Sequence, residues 1–188
     1  MNTATDDRRV RKTKKALREG LADLMMEKDL RSITVRELVD KIDIHRATFY
    51  SHYTDIYDLY KQMEDGVVEE LSAIVGDITL SDEAFYETLI SYVYDNAKLC
   101  RMFLSKNGTR SFLDRISSFL SEKYIAIWTG DAPDSKVIDE LRYLVGYHIS
   151  GCLDIISRWA ESDFALSKEI IVEMVIKVDK NFDVLLSN

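Results

Sequence analysis

One proline, seven glycines, two cysteines and three histidines are all that this 188-residue chain holds of those four types. So little proline and glycine excludes a collagenous chain and a turn-rich β-sandwich, which need such residues at their bends. Cys100 and Cys152 are too few for a disulfide framework or a paired-cysteine metal site, and free thiols suit a reducing compartment. No apolar run approaches the roughly 18 residues of a membrane span. The N-terminal MNTATDDRRVRKTKKALREG carries charge where an export signal needs an apolar core. A cytoplasmic protein without membrane contact is expected. What is present is the balance of a chain able to bury a core: 46% hydrophobic and 31% charged residues, with a net charge of −8. With apolar residues at helical spacing throughout, the expected fold is all-α.

The charge is unevenly spread. Residues 1–53 carry 12 Lys and Arg against 9 Asp and Glu, whereas residues 54–188 carry 13 against 24. Such asymmetry suits a front end that meets a polyanion and a rear end that avoids one. RRVRKTKK (8–15) is the sharpest cluster, placed at the start of a predicted helix, where cations oppose the helix dipole. Lys14 and Lys15 are its candidate phosphate contacts; a solvated basic tail is the alternative.

Val10, Leu17, Leu21, Leu24 and Met25 predict an amphipathic helix from Arg8 to Lys28. Thr34 stands three residues before Glu37 as a capping box, and Ile33 with Leu38 forms the matching hydrophobic staple, so a helix is predicted at 34–41. At two turns it is marginal alone and must dock on neighbours. Asp43-Ile44-His45 breaks the pattern, and RATFYSHY (46–53) follows, short, aromatic and free of acids. Further helices are predicted at 54–75, 82–98 behind a Ser81 cap, 109–128 after an Asn107-Gly108 turn, 136–160 after the loop GDAPDS (130–135), and 167–186.

Two short helices joined by a tight turn, behind a basic first helix, spell a helix-turn-helix whose second helix enters the major groove. In that frame Arg46 reaches a guanine edge or a phosphate, and Thr48 offers a hydroxyl and a methyl. Tyr50, His52 and Tyr53 present polar tips on flat rings to phosphate oxygens. Phe49 and Ile44 form the apolar side that holds this helix against the first two.

The segment ITVRELVDKIDIHRATFYSHYTDIYDLY (33–60) resembles the DNA-binding signature of the TetR/AcrR family of transcriptional regulators, over roughly the first third of the chain. Ala47, Thr48, Tyr50, His52, Tyr53 and Leu59 stand in the signature's places. The resemblance implies DNA-contact roles for Thr34, Arg36, His45, Ala47 and Lys61 beside the residues above. Three positions depart from the pattern: Ala47 where Gly is commoner, His45 at a cap where Ser or Thr is usual, and Ile56 where a phosphate-touching Lys is usual. It also implies a two-part all-α subunit: a helix-turn-helix domain at 1–53, a connecting helix at 54–75, and an effector-binding and dimerisation domain at 76–188.

Family members pair their last two helices into a four-helix bundle. Leu141, Val145, Ile149, Cys152 and Ile156, with Ile171, Met174, Val175 and Val178, offer more apolar surface than one small core requires. Gly146 and Gly151 in mid-helix suggest close helix approach. The implied effector pocket draws on Tyr92, Phe103, Phe112, Phe119, Tyr143, Tyr147 and His148, within a wider set that adds Tyr86, Tyr94, Met102 and Trp128; all suit ordinary core equally well. The expected function is a homodimeric regulator, a repressor rather than an activator, that holds a palindromic double-stranded DNA operator until a small-molecule effector releases it. The C-terminal part is also similar to regulators associated with dihydroxyacetone kinase operons, some of which answer to a protein partner, so an activator or co-regulator is a second expectation. No cofactor and no metal are expected: His148 and Cys152 have ligand spacing, but one pair is not a site. No nucleophile elbow or glycine-rich loop speaks for an enzyme. A helical interaction module without DNA affinity is the remaining alternative.

Overall fold

The structure, a computed structural model, describes residues 3–76, 82–104, 110–129 and 135–186, and every regular element among them is helical. In order they are α1 (Thr3–Glu27), a single 3-10 turn at Leu30–Ser32, α2 (Val35–Lys41), α3 (Arg46–Tyr50), α4 (Ile56–Gly76), α5 (Asp82–Asp95), α6 (Ala97–Leu104), α7 (Arg110–Thr129), α8 (Ser135–Glu161) and α9 (Lys168–Leu186). The expected Ser81 cap, the Asn107-Gly108 turn and residues 130–134 of the proline loop lie outside the described residues. Among the described residues no helix is long and apolar enough to cross a membrane.

The first turns form for local reasons. Thr34 Oγ1 accepts the Glu37 amide at 3.2 Å, an N-cap worth about 1 kcal/mol. Ile33 and Leu38, the staple pair, are both buried. The Glu37 carboxylate takes the Lys28 ammonium, with the Thr34 backbone amide also acting on it from the cap. The Lys28 hydrogen bond above all holds Glu37 below the usual carboxylate range. Gly20 sits where α1 crosses α2, and a Cβ there would lie 2.6 Å from Ile42 Cγ2 and 2.9 Å from Leu38 Cδ1. The close approach explains a glycine in mid-helix despite its poor propensity.

One expectation needs correction. The helix predicted at 82–98 is broken at Asn96 into α5 and α6. Asn96 Nδ2 donates to the Tyr92 carbonyl at 3.0 Å, alongside its own backbone amide, while its carbonyl takes the Cys100 amide at 2.9 Å. A short amide side chain that competes for the helix's own acceptors is a recognised way to end one turn and start another.

Two helix ends share one device. After α2, Asp43 takes a left-handed conformation (φ 54°) and the Ile44 amide reaches back to the Val39 carbonyl at 3.1 Å. After α8, Asp163 and Phe164 are both left-handed (φ 59° and 58°), with Asp163 N–H on the Ala160 carbonyl and Phe164 N–H on the Trp159 carbonyl. These are Schellman-type ends built on Asp in place of glycine. Phe164 is bulky for that region, and its ring packs edge-on at 4.8 Å from Trp159, whose Nε1 donates to the Leu166 carbonyl.

The buried core runs without a break from Leu17 of α1 to Val175 of α9. It crosses the expected 53/54 boundary, with Phe49 and Tyr53 in one cluster with Ile56 and Leu59, and further along α4 the Tyr60 ring meets Phe103 of α6 at 5.2 Å. Nearby, Lys98 of α6 pairs with Asp23 of α1 at 2.7 Å. One turn further along α4, Arg115 of α7 bridges Glu64 (2.9 Å) and Asp65 (2.8 Å). Glu64 is buried, so the guanidinium answers a charge that would otherwise be costly to keep dry.

Candidate nucleic-acid interface and interior cavity

On α3 the sequence divides cleanly between two faces. Phe49 is fully buried against α1 and α2, and half-buried Ile44 packs on the same core. The opposite face carries Arg46, Ala47 and Tyr50, with Tyr50 50% exposed. Arg46 Nη2 donates to the Tyr50 hydroxyl at 3.3 Å, and its guanidinium carbon lies 5.9 Å from the ring centroid. The pair thus holds a cation and a phenol side by side. His45 caps α3 through an extended backbone and makes no side-chain cap bond. Thr48 and His52 are half-buried, and Ser51 Oγ closes the short helix on the Thr48 carbonyl at 2.7 Å.

Other expected contacts sit differently. Thr34 is exposed but spends a lone pair on its cap. Arg36 leans on Asp40 at 3.6 Å and Lys15 on Glu19 at 3.8 Å, both loose, exposed pairs of little worth that a polyanion can displace. Lys14 is half-buried on α1. Lys61 pairs with Asp65 at 2.7 Å and so joins the ion network that Arg115 extends to α7. Tyr53 corrects the sequence reading. It is only 2% exposed, ringed by Phe49 and His52, and its hydroxyl is buried without a hydrogen-bond partner. It is core, not a phosphate contact, because the chain turns inward after His52.

Behind this region α4 to α9 enclose a cavity of about 560 Å³. Of the seven expected lining residues, Tyr92, Phe112, Phe119 and His148 border it. Phe103 does not: it is fully buried, stacked on Phe112 at 4.6 Å and edge-on to Tyr60. Tyr143 and Tyr147 do not either, being 84% and 79% exposed on the outer side of α8. An α8 with apolar residues on both sides leaves its phase ambiguous in the sequence. In the wider set, Tyr86 lines the cavity, Met102 is buried core, and Tyr94 is stacked on Trp159. The Trp128 side chain lies outside the described residues.

At the cavity's polar end His148 and, in the wider set, Tyr86 were foreseen; Asp179 and Tyr124 were not. Asp179 of α9 accepts His148 Nε2 of α8 at 3.0 Å and the Tyr124 hydroxyl of α7 at 3.1 Å, and the Tyr86 hydroxyl of α5 is also bonded to it. One carboxylate therefore ties four helices. Burial works against charge on Asp179, but these donors hold it below the usual carboxylate range. Burial likewise opposes the imidazolium, yet Asp179 and then Cys152 Sγ, 3.9 Å away, lift His148 to about 9. The sequence carried a signal for this: Asp179 is an acid inside the buried stripe Val172, Val175, Phe182. Among the described residues no His, Cys, Asp and Glu gather into a metal-holding group.

The last two helices also need redrawing. Leu141, Val145, Ile149, Ile156, Ile171 and Val175 are buried within the subunit, and Cys152 faces the cavity. Only Met174 and Val178 of the expected interface remain exposed, joined by Tyr143, Leu144, Tyr147 and Ile170. Gly146 and Gly151 have nothing within 4 Å of a built Cβ, so the close approach expected there is absent within the subunit.

A family profile of a transcriptional regulator C-terminal region matches residues 83–180, just over half of the chain. The chain is 34% identical over 76 residues to the uncharacterized HTH-type transcriptional regulator YxbF of Bacillus subtilis (strain 168), a stretch that is 40% of this chain and 19% of that protein. It spans about a fifth of that relative. Among solved structures it is similar to a TetR transcriptional regulator from Streptococcus agalactiae 2603V, at 20% identity and a TM-score of 0.62, over 93% of this chain and 99% of that one. It is also similar to the dihydroxyacetone kinase operon activator DhaS, at 14% identity and a TM-score of 0.52, over 92% and 97% of the two chains. At such identities the structural likeness is one of fold.

Proposed function

Because the chain belongs to the TetR family of transcriptional regulators, we propose that it works as a homodimeric repressor whose α3 helices read a palindromic operator and whose cavity takes a releasing effector. The observation that carries this reading is α3 itself. A five-residue helix is anchored by Phe49 and turns Arg46 and Tyr50 outward together. A guanidinium so presented suits a guanine edge or phosphate, while Thr48, His45, Ala47 and His52 border it. Lys14, Lys15, Thr34 and Arg36 flank this face as phosphate contacts. The exposed apolar face of α8 and α9, centred on Tyr147, Ile170, Met174 and Val178, suits a second copy. A two-fold pair sets two α3 helices one DNA turn apart, roughly 34–36 Å. Residues 1–53 act as the reader and 76–188 as the effector and dimer part, with α4 between them.

The effector acts by favouring one spacing of the readers over the other, and it shifts operator affinity only by its differential affinity for the two. Genomic DNA fragments captured by the full chain supply the operator. Arg46→Ala and Tyr50→Ala are expected to abolish the gel shift of that fragment at physiological salt while the protein stays folded and paired. Retention of the shift by both variants would overturn the assignment of α3. In sedimentation, Met174→Asp is expected to leave a folded monomer; an unchanged dimer would overturn the proposed face.

A further inference from the structure

The walls of the cavity and its few charges restrict what fits inside. Val67, Leu71, Phe112, Ile116 and Ile156 make most of the lining apolar. The buried ionisable groups at its inner end, Asp179 and His148, are paired with each other and further held by Tyr124 and Tyr86. That end therefore offers no spare charge, and burying a bare ligand charge beside it would be costly. Any charge on the ligand belongs at the opening. There the cavity borders Lys123, an exposed residue whose ammonium lies 6.0 Å from the ring of Phe119, itself part of the wall. Among the described residues no carboxylate pairs with Lys123.

We propose that the effector is an amphipathic organic anion, with an alkyl or aryl body inside the cavity and one carboxylate at Lys123. The inference rests on the reading of this cavity as the effector site. Its chemistry is specific in sign and in orientation: body inward, charge at the rim.

Calorimetric titration of the full chain with dodecanoate, 1-dodecanol and dodecyltrimethylammonium, each below its micelle-forming concentration, tests both features. Dodecanoate is expected to bind tightest, and from octanoate through decanoate affinity is expected to rise about fourfold per added methylene. Lys123→Gln is expected to weaken dodecanoate about fivefold and leave dodecanol unchanged, with Lys123→Arg restoring the acid. Ile116→Trp, which fills the wall, is expected to remove binding of all three. Tighter binding of the alcohol or the cation, or no effect of Lys123→Gln, overturns the anionic assignment. If Ile116→Trp still blocks those ligands, the effector reading of the cavity stands without it. If no amphiphile binds, or if Ile116→Trp changes nothing, both fall.

Discussion

Around α3, Phe49, Leu38, Leu21 and Leu59 are wholly buried, and α1 leaves no room for even a Cβ at Gly20. Around α5, α7 and α8 the same kinds of residue stop short of one another and leave about 560 Å³ open. The front is packed as interiors normally are, near crystal density. The rear forgoes those dispersion contacts. What it gains is linkage: a ligand that binds only the folded form stabilises it in proportion to the logarithm of its concentration over Kd. On the proposed function, the front must hold a five-residue helix still, and the rear must remain responsive.

Truncation in the two regions is the strongest way to break this contrast. Phe49→Ala is expected to cost about 3–5 kcal/mol in denaturant unfolding, whereas Phe119→Ala, at a wall already facing empty space, is expected to cost about 1–2 kcal/mol. Equal losses would mean that the rear is as tightly filled as the front. A pH titration probes the rear alone. His148 is lifted from 6.5 to about 9, so the native state keeps a proton that the unfolded chain releases above pH 6.5. Its stabilisation is complete below that value and is lost as pH rises through about 9, a fall of about 3 kcal/mol that His148→Gln should flatten. An identical pH profile in His148→Gln would remove Asp179 as the tie between helices.

Smaller effects sharpen the comparison. Gly20→Ala is expected to destabilise by about 1 kcal/mol through overpacking. The same change at Gly66 of α4, where a Cβ meets nothing within 4 Å, is expected to stabilise by up to about 1 kcal/mol through helix propensity alone. Thermal melts that shift the same way would show that the front has slack after all. Smallest of all, Tyr53→Phe removes a buried hydroxyl without a partner and should change stability by less than about 0.5 kcal/mol, leaving DNA affinity intact. Tyr50→Phe, on the exposed face, should weaken DNA binding instead. A loss of binding in Tyr53→Phe would return that phenol to the interface.

The same contrast explains what was legible in the sequence. The front announces itself in neighbouring residues: Thr34 and Glu37 for a cap, Ile33 and Leu38 for a staple, an acid-free aromatic run for α3. Those are short-range effects, and only Tyr53, read as a reaching phenol, was misplaced. The rear depends on how long helices are phased about one another. Tyr143 and Tyr147 were assigned inward because α8 is apolar on both sides, and the break at Asn96 hid within a continuous apolar spacing. A cavity leaves no residue of its own in a sequence; a filled and a hollow core use the same alphabet. The exception is Asp179, whose charge interrupts an otherwise apolar stripe.

Asp23 against Lys98 ties α1 directly to α6, and Tyr60 of α4 packs on Phe103 of the same helix, so on the proposed function reader and sensor share a seam that respects no residue boundary. Chimeras that cut the chain after α3 and graft it onto a foreign sensor should therefore misfold or lose their response. Those that carry α6 along with the reader, or transplant both sides of the seam together, should keep the signal passing between them.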